Sequence, residues 1–369
     1  MKILMLVNWK VEYADKPVTD KQPPDYVVTG QPYWFFRYFP EECVIHVDVI
    51  DIRSFPWLEK FEKNGIRFYI WQTLRALPKL KKYDMVLSHG MQSGIVLCLF
   101  RRIFGKGRYK HVVFDIGAFN SARESGRSLK LMQFASKSID GVIYHTKSQK
   151  EYYEKCHPWL MPKSRFIPFG TDTEFFTPEE KEQDYKEQSN SYILCVGYHK
   201  RDWDTLLAAY GQLMENKSGD MTGEIGQVRL RLIGNCSIKA EAEGVEVLDP
   251  VSVTELKTQI QNALFCVLPL QQFNYSYGQM TLLQQMALGK AVIVANVSSI
   301  QAYRGEENLL LYEPENTEEL TACMRELLLN GDKREQMGRK ARASVLDTYN
   351  ERNMAKEIYA VIEEWMEIK

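Results

Sequence analysis

The chain has 369 residues, of which 45% are hydrophobic and 26% charged, and its formal net charge is −1. That length is too great for one ordinary core and suits two packed domains, and the near-zero balance gives no reason to expect a nucleic-acid partner. The balance conceals an asymmetry: residues 1–170 hold 27 Lys/Arg against 16 Asp/Glu, and the remainder holds 20 against 32. A basic first half is either a solvated face or a surface that favours an anionic acceptor or an anionic membrane. Seven scattered cysteines without Cys-x-x-Cys spacing argue against a disulfide framework and a zinc site, and Cys98, Cys195 and Cys266 lie in apolar runs as small buried hydrophobes. Residues 2–8 are too short for the apolar core of a signal peptide and read as a strand, and no run reaches the ~18 to 20 apolar residues of a spanning helix. A cytosolic protein is expected, either free or resting on the inner face of a membrane.

Strand and helix patterns alternate from the first residue, which predicts parallel sheets covered by helices. In the first half strands are expected over 3–7, 44–51, 85–88, 111–114, 141–144 and 165–168. Helices are expected over 31–38, 70–80, 94–104, 130–138 and 148–155. The second half continues with strands over 192–196, 229–233, 245–248, 264–268 and 291–295. The charged stretch 177–191 reads as an exposed connection and 216–227 as a surface loop. A last amphipathic helix over 351–368 spaces Tyr359, Ile362 and Trp365 among acidic residues. The fold class is α/β with two doubly wound domains.

The most informative stretch runs from Ser276 through Tyr277 and Gly278 to Ala295. Gly278 lets backbone approach a ligand, and the N–H groups of Gln279, Met280 and Thr281 then become the donors of a first helical turn, a place that attracts anions. Leu282, Leu283, Met286 and Ala287 form the apolar stripe, Gly289 stops the helix, and 291–295 reads as a buried strand. The sequence Leu282-Leu-Gln-Gln-Met-Ala-Leu-Gly-Lys-Ala-Val-Ile293 resembles the donor-site motif of family 4 glycosyltransferases of the GT-B fold. The stretches at 167–176, 193–197 and 228–234 agree with the same family in order and spacing. The resemblance implies two Rossmann-like domains facing each other across a cleft: an acceptor-side domain over 1–172, a nucleotide-sugar domain over 173–350, and a terminal helix over 351–369 that crosses back. It also implies retaining transfer from a UDP- or GDP-linked sugar to a sugar, lipid-linked or small-molecule acceptor, without metal or other cofactor.

Transfer from a nucleotide sugar expels a diphosphate, so cations and oriented amides must face it. In the family an Arg and a Lys after the first strand of the second domain grip the phosphates. Here Gly197 is followed by Tyr198 at the Arg position and Arg201 at the Lys position, with Lys200 as a second cation. Arg keeps the charge and presents a planar fork; the alternative is that residues 200–202 are surface charges capping a helix. The family's two glutamates, which contact the donor sugar and the ribose, are replaced by Ser276 and Gln284. Gln284 still offers a donor and an acceptor to a ribose hydroxyl, whereas no acidic residue occurs between 257 and 305. Either Asn274, Tyr275, Tyr277 or Gln279 holds the sugar, or activity is weak or lost.

In the acceptor-side domain, Gly30 takes the place of the family's Gly-Gly in a loop that faces the donor phosphates, or else is a plain turn glycine, after a polar insertion over 8–28 that reads as a lid. His89, Asp115 and Asn120 follow strand ends that face the crevice of a doubly wound fold. Asp115 reads either as the carboxylate that orients the acceptor hydroxyl or accepts its proton, or as the cap of a turn; His89 reads either as a strand-end hydrogen-bonding residue or as a catalyst on the acceptor side. The segment 97–110 mixes basic and apolar residues as in a helix lying on anionic lipid. Two other readings stand beside the transferase: a sugar-nucleotide-binding partner without activity, and a UDP-sugar epimerase of the same fold.

Overall fold

A computed structural model describes residues 1–42, 44–117, 124–179, 191–197, 200–215, 228–234 and 243–367. The chain divides into two units. Unit 1 comprises Met1–Pro168, Asn274–Ser276 and Arg352–Lys369, and unit 2 comprises Phe169–Phe273 and Tyr277–Glu351.

In unit 1 the strands are β1 (Lys2–Leu6), β2 (Glu12–Ala14), β3 (Tyr26–Val28), β4 (His46–Ile50), β5 (Met85–His89), β6 (Lys110–Asp115), β7 (Gly141–Tyr144) and β8 (Ser164–Phe166). Six of them form a parallel sheet in the order β4-β1-β5-β6-β7-β8. Ile3, Leu4, Met5 and Leu6 are all fully buried, as are Val86, Leu87, Val112 and Val113, because helices cover both faces. The helices are α1 (Pro56–Phe61), α2 (Ile70–Ala76), α3 (Met91–Phe104), α4 (Arg127–Ser136) and α5 (Gln149–Cys156). One core gathers Met91, Ile95 and Cys98 of α3, Met132 and Ala135 of α4, and Tyr152 and Tyr153 of α5.

Several expectations for unit 1 change. The helix expected over 70–80 ends as α-helix at Ala76 and tightens into a 3-10 turn over Leu77–Lys82. Pro78 brings this about, because it lacks an N–H and crowds the preceding turn. The helix expected over 31–38 is a 3-10 turn at Trp34–Tyr38. The insertion expected as a lid pairs β2 with β3 and is tied to the edge of the sheet: Tyr13 Oη donates to the Val49 carbonyl (2.9 Å) and Val11 N–H to Asp51 Oδ2 (3.2 Å). The α1 segment and the π turn at Glu62–Ile66 lack a sequence signal; buried Glu62 accepts the Trp71 N–H at 2.8 Å and so caps α2.

Unit 2 contains β9 (Tyr192–Val196), α6 (Trp203–Glu215), β10 (Arg229–Ile233), β11 (Val245–Leu248), α7 (Val253–Asn262), β12 (Phe265–Leu268), α8 (Gln279–Ala287), β13 (Val292–Ala295), β14 (Leu310–Tyr312), α9 (Thr317–Leu329) and α10 (Gly331–Asp347). Its parallel sheet runs β11-β10-β9-β12-β13-β14. This is the 3-2-1-4-5-6 order of a dinucleotide-binding sheet, with its topological switch between β9 and β12. The three-residue β14 was not expected from the sequence.

The helix α11 (Glu351–Glu367) packs in unit 1, with Ile358, Ile362 and Trp365 buried and Tyr359 edge-on to Phe39 at 5.2 Å. Just before it, within unit 2, Thr171 N–H donates to the Tyr349 carbonyl and Glu351 N–H to the Thr171 carbonyl, each at 3.0 Å. A Cβ on Gly170 would lie 2.2 Å from the Asn350 oxygen, so only glycine permits this approach. Gly170→Ala should therefore lower stability by about 1–3 kcal/mol, as overpacking against fixed backbone does. Urea denaturation of the two proteins measures it.

Candidate functional site

Doubly wound sheets receive ligands beyond the carboxyl ends of their strands at the switch point. In unit 2 that place lies after Val196 of β9 and Leu268 of β12. The two loops that leave these strands are joined by backbone. Asp202 N–H donates to the Pro269 carbonyl (2.8 Å), Gln271 N–H donates to the Lys200 carbonyl (3.1 Å), and Arg201 bridges antiparallel to Leu270. The Arg201 side chain is 6% exposed and folds back, donating from Nε (3.1 Å) and Nη2 (2.8 Å) to the Val196 carbonyl. Gly197 has φ +87°, and a Cβ there would stand 2.6 Å from Arg201 Nη2. Arg201 and Gly197 are thus one fitted piece.

Gly278 adopts the left-handed conformation, φ +74°, as N-cap of α8, with its carbonyl accepting the Leu282 N–H at 3.0 Å. A Cβ on Gly278 would meet Leu270 Cδ1 at 2.8 Å. Leu270 is the bridge partner of Arg201, so the glycine turn and the cationic turn meet through one buried leucine. The first turn of α8 carries no side-chain cap and no acidic residue. Its amides give the terminus about half a positive charge.

Gly197, Lys200, Arg201 and Gly278 are therefore brought together, while other expected donor contacts are redirected. Tyr277 donates from its hydroxyl to the Gln271 carbonyl and accepts the Phe273 N–H at 3.1 Å, so it braces the loop. The Gln279 side chain is 1% exposed and donates to the Ser299 carbonyl at 2.9 Å; only its backbone N–H remains with the helix terminus. Lys200 Nζ sits 3.8 Å above the Phe273 ring, and Asp202 caps α6 through Oδ1 and the Thr205 N–H (3.2 Å). Met280 and Thr281 are half-buried and Gln284 is buried. Tyr198 lies outside the described residues.

Ser276 belongs to unit 1, where its Oγ lies 3.0 Å from Thr146 Oγ1 and donates to Gln149 Oε1 at 3.3 Å. Gln149 Nε2 in turn donates to Asp115 Oδ2 at 3.1 Å. Asp115 has no solvent exposure; it also accepts the Tyr153 hydroxyl (2.5 Å) and the Gly117 N–H (2.9 Å). This corrects the reading of Asp115 as the group that handles the acceptor proton: a carboxylate saturated by three donors inside the unit holds the turn after β6. Thr146 and Gln149 were missed, although the polar run after β7 and before α5 marks a strand-to-helix turn that signals them. Asn120 lies outside the described residues.

In unit 1 the switch point lies between β1 and β5, and Trp9 stands edge-on to His89 there at 4.7 Å, with Trp34 at 5.6 Å from the same imidazole. His89 is 9% exposed, and its Nδ1 is buried without a hydrogen-bond partner. Gly30 has φ +78° in an exposed turn where a Cβ would meet nothing, so its conformation rather than a close approach calls for glycine, and it does not begin a helix.

The glycosyl transferases group 1 family profile matches residues 190–330. No curated protein matches the sequence. Among solved structures, sucrose-phosphate synthase of Thermosynechococcus elongatus superposes with a TM-score of 0.70 at 16% identity, over 100% of both chains. HepE of Anabaena, solved in complex with UDP, gives 0.66 at 14% identity over 99% of this chain and 100% of its own. A trehalose-6-phosphate protein of E. coli bound with UDP-2-fluoro glucose gives 0.68 at 10% identity over 100% and 99%. The chain has the GT-B fold. The group 1 match, covering the second GT-B unit from β9 to α9, supports a glycosyltransferase of this type. Among the described residues no helix of this GT-B chain is long and apolar enough to cross a membrane.

Burial in GT-B unit 1 has a consequence for pH. It depresses His89 and His111 to about 3, and His145 to about 4 although its bond to the Ile167 carbonyl opposes the shift. Above about pH 6.5 these imidazoles are neutral in both folded and unfolded chains and cost nothing. As pH falls below that value the unfolded chain takes up protons that the folded one refuses, so stability is lost with acid. Each should remove up to about 1.4 kcal/mol per pH unit between roughly pH 6 and 4. Urea midpoints across that range measure the slope. Asp115→Asn should cost about 1–3 kcal/mol, because it leaves buried donors unpaired; an unchanged urea midpoint would show that the carboxylate does not hold the turn.

Proposed function

We propose that this chain is a retaining, metal-independent hexosyltransferase whose donor is a nucleoside diphosphate sugar, UDP-linked in the first instance. The observation that carries the reading is the junction in unit 2, where the left-handed Gly278 opens α8 beside Leu270 and the Lys200–Arg201 turn is bonded to the same loop. A diphosphate there meets backbone N–H groups and two cations, the combination that steadies a departing anion. The group 1 profile over residues 190–330 supports the same assignment for this unit. UDP is favoured because HepE was solved with UDP and with UDP-glucose, and the E. coli protein with a UDP-sugar. The resemblance to family 4 supports retention, in which the acceptor hydroxyl attacks from the face the diphosphate leaves. Gln284 serves the ribose and Ser276 replaces a carboxylate. Unit 1 receives a sugar, lipid-linked or small-molecule acceptor near Trp9 and His89, where the rings stand at the ends of β1 and β5.

A second reading, a sugar-nucleotide binder without turnover, is favoured by one feature. The position of the sugar-facing glutamate is a serine held by Thr146 and Gln149, and Arg201 already serves the Val196 carbonyl. Thermal-shift titrations with UDP, GDP and ADP, followed by donor hydrolysis assays, separate the two. The transferase reading expects stabilisation by UDP and its sugars together with release of UDP from a UDP-hexose. Stabilisation without any release supports the binder, and no shift with any nucleotide removes both. Gly278→Ala should abolish most of the UDP shift, since its φ of +74° and the leucine contact both resist a side chain. Arg201→Lys, which keeps the charge and loses the fork, should weaken it by roughly tenfold in affinity.

A further inference from the structure

On unit 1, whose sequence is basic, an apolar cluster is exposed where α3 and α4 meet. At the carboxyl end of α3, Ile103 is 68% exposed and Phe104 is 72% exposed; on the neighbouring α4, Leu131 is 36% and Phe134 is 44% exposed. The two helices pack on each other, and the Arg102 guanidinium lies 4.9 Å over the Phe134 ring, so the four side chains belong to one surface. An apolar side chain left this exposed is ordinary when single, but a cluster signals a surface with a partner.

Among the described residues, the charged side chains of α3 and α4 are all cations. Arg102 and Lys130, next to Ile103 and Leu131 in sequence, are exposed, as is Lys137 just after α4, its Nζ 5.0 Å above the Trp159 ring. Carboxylates nearby are already committed: Asp115 is buried, Asp140 is shared by Arg101 and Lys106, and Glu124 pairs with Lys155. Arg101 shows the contrast, since it points inward to Asp140 at 2.7 Å and takes no part in the surface. Aromatic and aliphatic tips ringed by long cationic stems form the arrangement that settles into the headgroup boundary of a bilayer, with the rings below and the charges at the phosphates. A second copy of this chain is a poor occupant, because a two-fold contact would set the same cations against each other.

We propose that unit 1 docks through the α3 and α4 surface on a bilayer containing anionic phospholipid. The contact places the basic unit at a lipid surface whichever acceptor the enzyme uses, and it is independent of the nucleotide site in unit 2. Each cation near such a surface contributes about fivefold in partitioning, and the attraction fades with salt.

Co-sedimentation of the full chain with vesicles tests it, using phosphatidylglycerol mixed with phosphatidylcholine against phosphatidylcholine alone, at low and at high salt. The expected result is binding that needs the anionic lipid, falls in salt, drops about 25-fold in Arg102→Gln/Lys130→Gln, and is lost in Ile103→Ser/Phe104→Ser. Leu346→Ser, which alters an exposed leucine of unit 2, should bind as the parent does, and circular dichroism melts establish that all variants are folded. Absence of binding to anionic vesicles by the parent chain would overturn the proposal. So would binding that both double variants retain, or a parent dimer that Ile103→Ser/Phe104→Ser converts to monomer, since the patch would then be a subunit interface.

Discussion

The antiparallel seam between residues 200–202 and 269–271 is the constraint on which unit 2 depends. Two loops leave adjacent parallel strands, β9 and β12, and at a switch point their helices depart on opposite faces, which would leave the loops splayed. Backbone hydrogen bonds between Asp202 and Pro269, and between Gln271 and Lys200, hold them together instead. The Arg201 guanidinium closes the seam by donating to the Val196 carbonyl at the end of β9. Everything placed at the candidate donor site, from Gly197 to the start of α8, is positioned by that seam.

The seam also accounts for two of the glycines. At Gly197 the space for a Cβ is occupied by Arg201, and at Gly278 by Leu270, while both backbones take positive φ. At Gly170 the obstacle is the Asn350 carbonyl. Gly30 is a different case, because its φ is positive but its surroundings are open. The first three are held by tertiary contacts and the last by its own turn.

Unit 1 holds an unusual amount of buried polar chemistry that serves structure. Asp115 binds Gly117, Gln149 and Tyr153; Ser88 Oγ lies 2.9 Å from His111 Nε2, and Cys98 Sγ 3.5 Å from the other ring nitrogen; Arg101 collects the Ser138 and Lys106 carbonyls as well as Asp140. Such groups are costly to bury singly and rigid when satisfied together. The Asp115 set fixes the turns after β6 and β7, and the His111 and Arg101 sets tie the amino ends of β6 and β7 to α3.

The alternation of buried strands with amphipathic helices was legible in the sequence because it depends on local period. The strands expected at 192–196, 229–233 and 245–248 became β9, β10 and β11 at those bounds. Gly278 before the stripe of Leu282, Leu283 and Met286 marked the start of α8 for the same reason: a helix signals its own beginning. Side-chain direction was not legible. Arg201 and Lys200, Asp115 and Tyr277 carry identical chemistry whether they face a ligand or their own unit, and only contacts distant in sequence decide which. Asp115 was claimed by Tyr153, Tyr277 by the Gln271 carbonyl, and Ser276 by Thr146, 130 positions away. The exposed patch of α3 and α4 has the same origin, since periodicity tells which residues share a helix face and packing alone decides which of those faces is left for solvent.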